Sequence, residues 1–151
     1  MIEQAVILAG GKGTRLGQLT NQIPKPAIEV GGIPFIGHLI WNLCRHGIKR
    51  IIFSIGYLAD ELERAVNACG LEAEVIFVRE HQALGTGGGV KNALPYLDER
   101  FLVLNGDSLF DINYLDLALL LKDGAEAALA LRQVAQVDRY GSVDLQGNRI
   151  A

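Results

Sequence analysis

Four short apolar runs, each tied to the next by a helical pattern, constrain this chain more than anything else in it. Ala5-Val6-Ile7-Leu8, Arg50–Ile55, Glu74–Arg79 and Phe101–Asn105 are nearly continuous hydrophobic stretches, which read as buried strands. A helix is expected from Pro34, a residue suited to a first helical turn, with Ile36, Leu39, Ile40 and Leu43 at helical spacing and Gly47 as its stop. A second runs from Leu58 to Cys69, with Asp60 and Glu61 in its first turn and Gly70 after its last, where acids and glycine belong. Gly88 to Leu94, stopped by Pro95, and Asn113 to Lys122 complete the helices. Ala27–Val30 with Gly31-Gly32 reads as a short strand and turn, and Ala127–Gln133 and Ser142–Gln146 as further strands. Strands alternating with helices imply βαβ units and a mostly parallel sheet. The expected fold is therefore α/β, a Rossmann-like three-layer arrangement. Gly147-Asn148 reads as a turn into a returning strand at Arg149-Ile150-Ala151. The expectation is an amino-terminal portion, residues 1–151, of a longer pattern whose carboxyl-terminal part is missing.

In an open parallel sheet, ligands bind beyond the carboxyl ends of the strands, and the chemistry-bearing residues fall there. The first strand delivers Leu8-Ala9-Gly10-Gly11-Lys12-Gly13-Thr14-Arg15-Leu16, and Pro24-Lys25-Pro26 follows. Glycine lets backbone N–H groups approach an anion closely, and Arg15 and Lys25 add charge where phosphate oxygens would sit. The flanking prolines restrict the backbone around Lys25. Two familiar motifs fail on spacing. A P-loop requires Lys-Ser or Lys-Thr after its last glycine, where Thr14-Arg15 stands, and a dinucleotide fingerprint requires a glycine where Leu16 stands. The plain alternative is a glycine-rich turn with solvated charges.

Asp107, after the fourth strand and Asn105-Gly106, is either a Mg²⁺ ligand, since hard cations take oxygen donors, or a turn residue before Ser108. Glu80-His81-Gln82-Ala83-Leu84-Gly85-Thr86-Gly87-Gly88-Gly89 is a second glycine-rich segment, able to read a base edge or to serve as a flexible helix lead-in. His81, Trp41, Tyr57 and His38 are given no role beyond core or surface.

Together, G-G-x-G-T-R-L and P-K-P resemble the sugar-1-phosphate nucleotidylyltransferase family. The string Leu104–Ile112 with Asp138-Arg139-Tyr140-Gly141 most resembles its D-glycero-D-manno-heptose 1-phosphate guanylyltransferases, with mannose-1-phosphate guanylyltransferases close behind. The resemblance implies an enzyme that transfers a nucleoside monophosphate, GMP from GTP, to a sugar 1-phosphate and releases pyrophosphate. It implies catalytic roles for Arg15, Lys25 and Asp107, with Asp107 on Mg²⁺. It implies nucleotide binding by Leu8, Ala9, Gly10, Gly11, Gly13, Thr14, Glu80, Gly85 and Thr86, and sugar binding by Asn105 and Gly141. Family members supply a second metal-binding Asp from a carboxyl half to which no residue here can be matched. Two alternatives stand beside this reading: a nucleotide-binding fragment or regulatory relative without catalysis, and a molybdenum-cofactor-type guanylyltransferase.

A net charge of −3 over 151 residues offers nothing to nucleic acid or an anionic membrane. The longest apolar run, Leu117–Leu121, is too short to span a bilayer. Strand signal from Ala5 leaves no room for a signal peptide. Cys44 and Cys69 read as small core residues of a reduced protein. A cytoplasmic location is expected, and an unpaired sheet edge could join a second copy.

Overall fold

The computed structural model describes residues 2–13, 17, 19–122, 124–134 and 141–150. Its centre is a parallel four-stranded sheet of β1 (Gln4–Ala9), β4 (Arg50–Ile55), β5 (Glu74–Arg79) and β6 (Leu102–Asn105), in the order β5-β4-β1-β6. The small antiparallel pairs are β2 (Glu29–Val30) with β3 (Ile33–Pro34), and β7 (Leu145–Gln146) with β8 (Arg149–Ile150). The helices are α1 (Phe35–Arg45), α2 (Ala59–Asn67), α3 (Gly85–Ala93) and α4 (Tyr114–Leu119). Single 3₁₀ turns lie at Lys25–Ala27 and Leu94–Tyr96.

The strands read as unbroken apolar runs because both faces of the sheet are covered. Ile7, Phe53 and Ile55 point one way, into a core closed by Leu39 and Leu43 of α1 and Leu62 and Val66 of α2. Val6, Ile52 and Val78 point the other way, against Ala93 of α3. This alternation makes three layers, as the sequence predicts. The two polar side chains buried on the central strands are bonded. Gln4 donates to the Tyr96 carbonyl at 3.4 Å and accepts from the Asp98 N–H at 2.6 Å, and Ser54 donates to Glu80.

Three expectations change. Ala127–Gln133 forms no strand: Leu129 and Leu131 are exposed, and no described strand lies beside them. An extended apolar run becomes a strand only when a neighbour completes its hydrogen-bond ladder. From Ser142–Gln146 only Leu145–Gln146 pairs, in a hairpin with Arg149–Ile150. The third helix starts at Gly85 rather than Gly88, so the second half of the second glycine-rich segment is helical. Asn113 is a true cap of α4, its side-chain oxygen accepting the Leu115 N–H at 3.0 Å.

Candidate active site

Because β1, β4, β5 and β6 run parallel and in register, their carboxyl ends form one edge. Ala9 pairs with Ile55 and Ile55 with Arg79, while Leu8 pairs with Asn105. The residues just past these ends are therefore neighbours. A cleft of about 310 Å³ opens there. Leu8, Ala9, Gly10, Gly11 and Gly13 form one wall; Glu80, Gly85 and Thr86 another; Asn105, Asp107 and Lys25 a third. Pro26, read from the sequence as a restraint on Lys25, also lines it, as does Ala83, to which the sequence assigned no role. The only signal for Ala83 is its place two residues before Gly85. Thr14 and Arg15 lie outside the described residues, as do Asp138, Arg139 and Tyr140. Gly141 is exposed and is not among the residues lining the cleft.

Close approach calls for glycine at Gly106 and at Gly13. Gly106 donates its N–H to the Leu8 carbonyl at 2.8 Å. A Cβ there would lie 3.1 Å from that of Ala9 and 3.2 Å from the Leu8 oxygen, so only a bare backbone brings Asp107 this near β1. Gly13 has φ +60°, a left-handed conformation suited to glycine, and a Cβ on it would lie 3.2 Å from both Lys25 and Thr20. The buried Thr20 hydroxyl donates towards the Gly17 and Gly13 carbonyls at 3.2 and 3.3 Å, tying the loop down beside Lys25.

Lys25 Nζ reaches Asp107 Oδ2 at 2.7 Å across 82 positions of sequence. Burial pushes the Asp107 carboxyl up. The hydrogen bond and charge of Lys25, with the Ser108 hydroxyl at 3.1 Å, outweigh it and hold Asp107 below the usual carboxylate range. Both partners remain more than a third exposed, so each is reachable by an incoming ligand. Glu80 is enclosed on its inner side: Oε1 accepts the Ser54 hydroxyl at 2.7 Å and Oε2 the Leu84 N–H at 3.2 Å. Lys12 Nζ lies 5.9 Å from the Tyr57 ring centroid at the rim, within cation–π range.

The donor set bears on a metal. Among the described residues no three His, Cys, Asp or Glu side chains cluster to hold one. Asp107 is a single ionised oxygen donor, fit to add one ligand to a cation that arrives with polyphosphate oxygens. Burial pushes the thiols of Cys44 and Cys69 up, which leaves them poor nucleophiles. No described helix is long and apolar enough to cross a membrane.

A parallel sheet whose carboxyl edge carries a glycine-lined cleft with a lysine and a carboxylate defines a phosphate-handling α/β domain. Comparison makes the class specific. Residues 4–151 match the nucleotidyl transferase family, and the chain belongs to it. It is 36% identical over 142 residues to a D-glycero-alpha-D-manno-heptose 1-phosphate guanylyltransferase from Campylobacter jejuni, covering 94% of this chain and 63% of that protein. It is 37% identical over 147 residues to a mannose-1-phosphate guanylyltransferase from Mycobacterium tuberculosis, covering 92% of this chain and 40% of that one. Among solved structures, that of HddC from Yersinia pseudotuberculosis complexed with GMP-PN matches with a TM-score of 0.81 at 34% identity, over 99% of this chain and 68% of that chain. The chain thus spans less than two thirds of the length of these two sequence relatives.

Proposed function

We propose that this protein forms the nucleotide half of a sugar-1-phosphate guanylyltransferase, which joins GMP from GTP to a sugar 1-phosphate and releases pyrophosphate. The observation that carries the reading is the convergence of Gly10, Gly11 and Gly13 with Glu80, Lys25 and Asp107, from four separate segments, on one cleft at the sheet's carboxyl edge. In this reading the bare backbone of Gly10 and Gly11 takes the phosphates. Lys25 bridges the sugar phosphate and the α-phosphate, and Arg15 neutralises the leaving pyrophosphate. A sugar-phosphate oxygen attacks the α-phosphorus in line, so the protein supplies positioning and charge neutralisation rather than a nucleophile. Asp107 would hold Mg²⁺, which when bound adds positive charge to the phosphate oxygens.

Guanine is favoured by the chemistry of Glu80. An ionised carboxylate only accepts hydrogen bonds. Guanine alone among the common bases offers two adjacent donors, N1–H and N2–H₂, while adenine, cytosine and uracil pair each donor with an acceptor. The guanine nucleotide bound by HddC supports the same choice. Heptose and mannose 1-phosphates, the acceptors named for the relatives, are the first to try. The test is pyrophosphate release with GTP, Mg²⁺ and each sugar phosphate. Release that requires both substrates supports the reading. GTP binding without release favours a nucleotide-binding relative, a reading that the 63% coverage of the Campylobacter protein keeps open.

A further inference from the structure

Ser54 interrupts an otherwise apolar strand interior. It lies in register between Leu8 of β1 and Val78 of β5 and is fully buried. A hydroxyl in such a place is costly unless bonded, and it donates to Glu80 Oε1 at 2.7 Å, a length typical of charge-assisted bonds. Glycines wall the carboxylate on two sides. A Cβ on Gly10 would lie 3.0 Å from Oε1. A Cβ on Gly89 would lie 3.1 Å from both Oε1 and the Ser54 hydroxyl, so α3 sits directly on the Ser54–Glu80 bond. Through Oε2 the same carboxylate holds the Leu84 N–H, where the segment carrying Gly85 and Thr86 begins. One side chain thus ties β4 to the start of α3 and packs against the Gly10 backbone.

The lone pairs leave room for a ligand. A carboxylate has about four acceptor sites; Ser54 and Leu84 occupy one on each oxygen. One remains on each, and Glu80 lines the cleft. We infer that Ser54 is a positioning residue that determines base specificity, its hydroxyl fixing the Glu80 carboxylate so that two acceptors face a nucleoside edge bearing two donors. This rests on the nucleotidyl-transfer reading above and adds the residue that sets its selectivity. Removing Ser54 frees the carboxylate to turn, while the phosphate-binding backbone stays as it is.

The test compares binding of GTP, ITP, UTP and inorganic triphosphate, each with Mg²⁺, to the wild-type chain and to Ser54→Ala. ITP lacks the 2-amino donor, and triphosphate reads the phosphate loop alone. Ser54→Ala should lose roughly tenfold or more of the preference for GTP over ITP, as expected for a hydrogen bond to a charged group, while triphosphate affinity stays within about twofold. Ser54→Cys, near in volume and a weaker donor, should fall between and serves if the alanine variant does not fold. Because Ser54 acts through Glu80, the double variant Ser54→Ala/Glu80→Gln should be no less selective than Glu80→Gln alone. Unchanged GTP:ITP preference in both Ser54 variants overturns the inference, as does a parallel fall in triphosphate binding or additive loss in the double variant. A wild-type chain that binds none of the nucleotides overturns the nucleotidyl-transfer reading and this inference with it. A preference for GTP over ITP that is the same in the wild-type chain and in both Ser54 variants overturns the inference alone.

Discussion

Two alanines placed two residues apart in α3 should move stability in opposite directions. Gly87 and Gly89 both lie within Gly85–Ala93, where glycine costs about 1 kcal/mol relative to alanine. At Gly87 a Cβ meets nothing within 4 Å. Gly87→Ala should therefore stabilise by about 0.5–1 kcal/mol, from helix propensity and a less entropic unfolded chain. At Gly89 a Cβ would lie 3.1 Å from Glu80 Oε1, Leu8 Cδ2 and Ser54 Oγ at once. Two of those atoms are locked in one 2.7 Å hydrogen bond, so they cannot give way independently. Overpacking of this kind costs about 1–3 kcal/mol, and offsetting about 1 kcal/mol of propensity leaves Gly89→Ala destabilised by up to about 2 kcal/mol. At roughly 2–4 °C per kcal/mol for a domain of this size, the two melting temperatures should differ by about 1–12 °C, with Gly89→Ala the lower. Differential scanning calorimetry without ligand reads this directly. Equal or higher stability in Gly89→Ala than in Gly87→Ala would refute the packing of α3 on the Ser54–Glu80 pair.

Further outcomes follow from the cleft. Lys25→Ala should cut turnover by on the order of 10²–10³-fold, the usual cost of removing one charge-stabilising group. Its unfolding free energy should fall by at most about 1 kcal/mol, because the Lys25–Asp107 pair is exposed. Near-wild-type turnover would remove Lys25 from the mechanism. The depressed Asp107 carboxyl contributes stability that is present above its unfolded value, near 3.8, and is lost as pH falls through the lower folded value. The small stability gap between wild type and Asp107→Asn should thus persist at neutral pH and close in acid below about pH 4; urea titrations across that range measure it. Asn113→Ala removes the cap on the Leu115 N–H and should cost about 1 kcal/mol by thermal unfolding, with GTP binding unaltered.

The sheet was readable because its central strands β1 and β4 are buried on both faces and so are almost wholly apolar, as at Ile51-Ile52-Phe53. The cleft was readable because a parallel sheet brings all its carboxyl ends to one edge, and Gly10, Glu80 and Asp107 each follow one. What local patterns could not carry were features decided by tertiary contact. Gly85-Thr86-Gly87 has poor helix propensity and reads as a loop, yet packing of the helix against β1 and β4 makes it the first turn of α3. Ala127–Gln133 has strand composition, yet Leu129 and Leu131 stay exposed beside no strand. Ser54 was invisible because one serine in an apolar strand looks like a tolerated core residue. Only the 2.7 Å contact with a carboxylate 26 positions away assigns it a partner.

A cleft between Gly10, Glu80 and Lys25 that takes a guanine nucleotide should show selective ligand binding. Thermal stabilisation of this chain by GTP, ATP, UTP, CTP and dTTP, each with and without Mg²⁺, tests it most directly. At about 100-fold excess over Kd, a ligand of the folded state adds roughly 2.7 kcal/mol. GTP should give a shift of that size, strengthened by Mg²⁺ and lost in Lys25→Ala, and the other four smaller ones. Equal shifts from all five nucleotides, or a GTP shift that survives Lys25→Ala undiminished, would contradict it.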